Sequence, residues 1–451
     1  MHNDTAARNG ARKIIDTCLG LTEGQELLIL CDETTTGVAH VLLEVAGEIG
    51  VHASALYVPV ATQARLGEGA ELPLVTVGAI REAMGILTCV TDAPACLPFR
   101  SKVFDISLDR RNRIGHMPGV TLDILPMADV DYQRIRADCE LLAAALLKGK
   151  QLELSSCDAR GQEVRLAVDL GGWARPPTIS DGLIERGGWA NIPPGETFIA
   201  PLEGTGRGTL VVNGSLPGYV IPHGGEVWLE FEGGKLVEYR SADRHCVEIL
   251  DGLRDFALQR GDPNWSNLAE VGLGVNPAVE PLTGIELLDE KKYGTAHIAL
   301  GENDWFGGTV SSAIHSDLIV VGPTVRIDNK TILRRGHIQT TWADWQEDHR
   351  LLPLDPAWRA SFSWLSRSGT RGERSMGLLK REWISGRGDT HSLQVGTDAS
   401  ARMASYLYAQ IPPFDGRIEV TSLLAHNPDL DEKEVYQLIC LMQAYELLVL
   451  T

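Results

Sequence analysis

The sequence predicts an α/β N-terminal domain, then a β-rich α+β domain, then a winged-helix-like C-terminal extension. Three observations carry this reading. Helical and strand periodicities alternate up to about Lys148, which is the rhythm of a parallel sheet covered by helices. From Gln151 the chain turns to glycine-rich, short, β-type segments. Near the end, a helix, a turn, a short strand, two helices and a last strand follow one another as in a small winged helix. The expected boundaries are residues 1–150, 151–335 and 336–451.

Each element has its own signal. Asp4–Leu19 has helical spacing and stops at Gly20. Gln25–Cys31 is a nearly continuous apolar run, the pattern of a strand buried on both faces. Thr36–Gly50 predicts a helix, His52–Val60 a strand, Val75–Met84 a helix and Ile86–Val90 a strand. Gln133–Leu147 predicts the helix that leads into the middle domain. There, Val227–Phe231 and Leu236–Tyr239 flank Glu232-Gly233-Gly234-Lys235, a hairpin signal. Gly208–Val212, Ala296–Leu300 and His315–Val321 predict further strands. In the last region Ala401–Gln410, Ser422–His426 and Asp431–Ala444 predict helices, and Arg417–Val420 and Leu447–Leu450 strands.

Composition narrows the function classes. The chain has 451 residues, 60 acidic and 41 basic side chains, and a net charge of −19. That balance argues against nucleic acid and against an anionic membrane surface as partners. Hydrophobic residues make up 44%, enough for real cores, so disorder is excluded as the overall state. No run reaches the ~18 apolar residues of a membrane span. The start, Met1-His2-Asn3-Asp4-Thr5, lacks an apolar export signal. The eight cysteines (18, 31, 89, 96, 139, 157, 246 and 440) form no C-x-x-C pair and are expected as buried free thiols. Together these features predict a cytoplasmic protein. No G-x-G-x-x-G follows the first strand, so a dinucleotide site is not expected.

Four segments of the middle domain carry the chemistry. In a strand, residues i and i+2 share a face. His315 and Asp317 therefore point together, and an imidazole beside a carboxylate can hold a metal ion. His297, Ala299 and Gly301 share a face, as do Glu270, Gly272, Gly274 and Asn276. The small residues after each candidate ligand are expected to leave open volume over it. Glu196 follows Asn191-Ile192-Pro193-Pro194-Gly195. Two imidazoles and three carboxylates suit Zn, Mn, Fe or Co better than Ca. The middle domain is thus read as a metal-binding domain.

These segments resemble the metal-binding segments of the aminopeptidase T/aminopeptidase S family of leucyl aminopeptidases, over roughly residues 10–335 and best over 187–321. The resemblance implies a metallo-hydrolase, as a homodimer, that cuts a peptide or amide bond at a dinuclear site of Zn, Co or Mn. It implies Glu196, Glu270, His297, His315 and Asp317 as ligands, with Glu196 and Glu270 central to catalysis. Glu270 would bridge the ions, His297 and Asp317 serving one, and Glu196 and His315 the other. Where the family carries a site tyrosine, seven residues after His297, this chain has Asp304. Glu302 and Asp304 are read either as pocket acids for a substrate amine or as solvated loop residues.

The sequence also resembles the 2,5-dihydroxypyridine dioxygenases, which implies the alternative of one Fe(II) in a non-haem oxygenase. A third reading is a non-catalytic partner-binding protein, in which 336–451 is a recognition, dimerisation or lid module. The expected partners are a small-molecule or peptide substrate, with no nucleic acid and no membrane.

Overall fold

The structure is a computed structural model. It describes residues 4–66, 70–110, 112–172, 175–341 and 344, and beyond these six strand segments between 359 and 450. Strands β1 (Glu26–Cys31), β2 (His52–Tyr57), β3 (Gly85–Cys89), β4 (Arg113–His116) and β8 (Trp189–Asn191) form a parallel sheet in the order β2-β1-β3-β4-β8. Helices α1 (Asp4–Lys13), α2 (Thr36–Glu48), α3 (Val60–Arg65), α4 (Leu74–Glu82), α5 (Leu97–Arg110) and α6 (Tyr132–Lys148) accompany it.

The apolar run of β1 is explained by burial on both sides. Leu27 and Ile29 enter a large core with α1, α2 and α6, while Leu28 and Leu30 pack with Ile80, Phe99 and Val103 on the other face. Each such leucine contributes about 2 kcal/mol by leaving water. The helix expected over Asp4–Leu19 is α-helical to Lys13 and passes into a π-helical turn, Ile14–Cys18. The strand expected over His52–Val60 ends at Tyr57, and Val60 opens α3 behind Pro59. Helix α6 begins where Asp131 accepts the amides of Gln133 and Arg134.

The rest of the described core is antiparallel. Strands β5 (Gln151–Cys157), β6 (Glu163–Asp169), β10 (Arg207–Val212), β13 (Val227–Glu232), β14 (Lys235–Ser241), β18 (Thr324–Ile327), β19 (Lys330–Arg334) and β20 (His337–Ile338) form one sheet, ordered β14-β13-β10-β6-β5-β18-β19-β20. The β13–β14 hairpin turns on Gly233 and Gly234, both at positive φ (58° and 72°), which only glycine adopts without strain. Helix α7 (Arg244–Gln259) follows β14.

A second antiparallel sheet, ordered β17-β16-β15-β9-β7, comprises β7 (Thr178–Ser180), β9 (Glu196–Ile199), β15 (Leu268–Gly274), β16 (Thr295–Gly301) and β17 (His315–Val321). Strands β11 (Ser215–Leu216) and β12 (Tyr219–Val220) form a ribbon, and the short helix α8 (Glu286–Asp289) precedes β16. One buried apolar cluster runs from Ala7 to Leu333 through both regions.

In the last region Asp415–Glu419 and Val449–Leu450 both pair with Arg359–Ser363. The expected helices Ala401–Gln410, Ser422–His426 and Asp431–Ala444 lie outside the described residues, as does Cys440. Among the described cysteines six are buried as expected; Cys157, at the end of β5, is exposed. No helix of the described residues is long and apolar enough to cross a membrane.

Candidate metal centre

The five expected ligands lie on four adjacent strands of one sheet: Glu196 on β9, Glu270 on β15, His297 on β16, and His315 and Asp317 on β17. Register places them. Glu270 pairs with Ala299 and Ala299 with Asp317, forming one transverse row. Gly272 stands opposite His297, and Gly274 opposite Glu196.

The glycines make room for neighbouring groups rather than for open volume, contrary to the expectation. A Cβ at 272 would lie 2.0 Å from His297 Nε2, so the imidazole itself fills that space. A Cβ at 274 would lie 2.2 Å from the Lys292 carbonyl and 2.6 Å from that of Glu290. Gly274 thereby lets the 290–292 loop press onto the sheet. Asn276, expected on the ligand face, is structural: its amide donates to the carbonyls of Pro194 (2.7 Å) and Met127 (3.1 Å).

Glu270 is the hub. His297 Nε2 donates to its Oε1 at 3.0 Å, and its Oε2 lies 3.4 Å from His315 Nε2. Burial alone would raise the Glu270 carboxyl; the two imidazoles more than offset this and hold it low. His315 donates Nδ1–H to the Glu302 carbonyl (2.7 Å), which turns Nε2 towards Glu270 and, at 3.8 Å, Asp317 Oδ1. Burial would lower both imidazoles, but Glu270, joined by Glu196 and Glu290 at His297 and by the Glu302 carbonyl and Glu290 at His315, outweighs it and raises them, His315 to about 9. Single donor atoms of Glu270, His297 and Asp317 all lie within 4.8 Å of one another.

Three further residues enter the site. Lys291 is fully buried (0% exposed), and its Nζ donates to the carboxylates of both Glu196 and Glu290. Glu290 joins Glu196 and His297 in a second cluster of close donors. Glu196 Oε2 lies 3.6 Å from His297 Nε2, so Glu196 sits beside His297, not in the expected pairing with His315. Burial first, then the charge of Glu290, push Glu196 up to about 7 despite Lys291. Glu286 accepts the Ser316 hydroxyl (2.9 Å) and the Asp317 amide (2.7 Å), fixing the start of β17. No strand pattern flagged these residues, because Glu286-Leu287-Leu288-Asp289-Glu290-Lys291-Lys292 reads as a charged, solvated turn.

The donor set fits a cation. Glu196 Oε2 and Asp317 Oδ1 are buried without a hydrogen-bond partner. Asp317 and Glu290 meet carboxyl to carboxyl, and burial with Glu290, Glu270 and Glu286 drives Asp317 well above its ordinary range. Buried carboxylates in contact need a proton or a metal between them.

Access lies at the His315 end. The His315 side chain is 22% exposed, against 0% for His297. Phe198, Trp305 and Phe306 form an aromatic wall there, with Trp305 and Phe306 ring centroids 5.9 and 5.8 Å from His315. Asp304 opens the turn that presents this wall, and it and Glu302 are half-buried.

The fold has precedents among solved structures. The chain superposes on 2,5-dihydroxypyridine dioxygenase from Pseudomonas putida KT2440 with a TM-score of 0.56 at 16% identity, covering 75% of this chain and 98% of that one. It superposes on AmpT from Thermus thermophilus with a TM-score of 0.53, also at 16% identity, covering 74% and 99%. The chain shares its fold with both. No protein-family profile and no curated protein matches it.

Proposed function

We propose that the protein is a metal-dependent hydrolase of an amide or peptide bond. One observation carries this reading: Glu270, His297 and Asp317 bring donor atoms within 4.8 Å of one another, and His315, 3.4 Å from Glu270 and 3.8 Å from Asp317, flanks them at the end that opens to solvent. These four residues would hold a divalent ion, and the opening at His315 would admit a substrate carbonyl and a water beside it. Once bound, a divalent ion would polarise the carbonyl and make water acidic enough to attack near neutral pH.

The chain's own residues do the rest. The Glu302 carbonyl holds the His315 ring in one orientation. The wall of Phe198, Trp305 and Phe306 suits an apolar substrate side chain and keeps bulk water away. Glu302, raised by burial and by Asp304, is placed beside His315 to exchange a proton with the leaving amine.

The test is elemental analysis and amide hydrolysis with zinc- or cobalt-loaded protein. Glu270→Ala and His315→Ala should each lose metal and at least about a hundredfold in rate. Full occupancy in both variants would sink the site assignment.

An oxygenase reading draws on the likeness to the dioxygenase and on His297, His315 and Asp317 as a two-histidine, one-carboxylate set. It requires oxygen uptake by Fe(II)-loaded protein with a hydroxylated aromatic ring. A hydrolase is indifferent to oxygen and works with zinc.

A further inference from the structure

We propose that Lys291 is a built-in cation occupying the second half of the centre, so that the protein holds one metal ion and not two. This rests on the reading above that the site binds metal, and concerns how many ions it takes.

The two clusters of close donors share His297 but differ in what already sits among them. On the Glu196–Glu290 side, the Lys291 ammonium donates to one oxygen of each carboxylate. Lys291 has 0% exposure and Glu196 and Glu290 only 3% and 7%, so water does not solvate this charge. A buried ammonium persists only where carboxylates compensate it, and these two do. A divalent ion entering the same pair would face that ammonium a few ångströms away, at a cost the low local dielectric amplifies. On the other side, Glu270, His315 and Asp317 have no lysine or arginine partner among the described residues, and this is the side open to solvent.

Placement of Lys291 is built into the fold. Helix α8 delivers the 290–292 loop to the end of β15, where the Asn276 amide bonds the Lys291 carbonyl at 2.7 Å. Gly274 is what lets the loop carbonyls come that close. Glu196 is thereby a partner of the lysine more than of an ion. The ion belongs to Glu270, His297, His315 and Asp317.

The experiment is metal stoichiometry of the full chain, by native mass spectrometry and elemental analysis after saturation with Zn²⁺ and removal of excess. Wild type should carry one ion per chain. Lys291→Ala strips the cation from Glu196 and Glu290 and should carry two. Two tightly held ions in wild type, or one in a folded Lys291→Ala, overturns the proposal. Should Lys291→Ala fail to fold, the neutral pair Glu196→Gln/Lys291→Met answers the same question. It should keep one ion with affinity within about tenfold of wild type, below the loss typical for a ligand's own supports. Loss of that ion would make Glu196 a ligand and overturn the proposal. No ion in wild type would instead remove the metal-enzyme reading itself.

Discussion

At position 272 the absence of a side chain decides whether the centre can form. The register sets Gly272 directly across from His297, and the imidazole occupies the volume that a Cβ would fill. Gly272→Ala places a methyl about 2 Å from Nε2, so the ring must rotate away from Glu270. The backbone is strand on both sides, so the fold should survive. We expect metal affinity to fall about 10- to 100-fold with an unchanged far-UV spectrum, read by competition with a chromogenic chelator. Wild-type affinity in Gly272→Ala would show that His297 is not held where the register puts it. Glu270, His297, His315 and Asp317 were legible because each lies on a strand whose period of two sets its face, whereas Glu290 lies in a loop and was not. The role of the glycines was not, since sequence does not reveal what the facing strand inserts. Lys291 was still less legible: a lysine in a charged run is solvated in nearly every context, and only tertiary docking buries it.

The segment that carries the aromatic wall is held by an ion pair rather than by regular structure. Glu203 accepts from Arg175 Nη1 (3.0 Å), the Thr309 amide (2.8 Å) and the Asn303 side chain (3.2 Å), clamping both ends of the turn Asp304–Phe306. Burial would raise the Glu203 carboxyl, but Arg175 and the Thr309 amide outweigh it and bring it down to about 2 from 4.5. Because the folded value lies below the unfolded one, this stabilisation is complete above about 4.5 and fades as pH falls towards 2. Glu203→Gln should cost about 2 kcal/mol at pH 7, measured by urea unfolding, since it leaves a poorly compensated arginine. Most of that difference should vanish at pH 3; an equal difference at both values would refute the clamp. Contacts like this one join residues far apart in the chain, so no local pattern announces them. The β13–β14 hairpin is the opposite case, because its two glycines and flanking alternation are all local.

At the scale of the whole molecule, the two described regions share a sheet and a core. Strand β8, which comes after the start of the antiparallel sheet, returns to pair in parallel with β4, and the buried cluster runs from Ala7 to Leu333. A three-residue strand such as Trp189–Asn191 is too short to show periodicity in the sequence. The seam is chemically marked. His116 on β4 and Asn191 on β8 are register partners joined by a 2.8 Å side-chain hydrogen bond, with Phe104 and Trp189 edge-on to the imidazole. Burial, and then the charge of Arg100, lower His116 to about 4 from 6.5. The folded value is below the unfolded one, so the neutral ring's contribution is complete above about 6.5 and is lost as pH falls to about 4. The shared core predicts that residues 4–341 unfold as one unit, with hydrogen exchange in β1 and in β16 reporting the same opening free energy at neutral pH. Near pH 4.5, wild type should have lost up to about 3 kcal/mol through His116, a loss that His116→Gln does not share. The stability gap between the two proteins should therefore narrow or reverse between pH 7 and pH 4.5. A constant gap would mean that this imidazole stays solvated and that the seam is open.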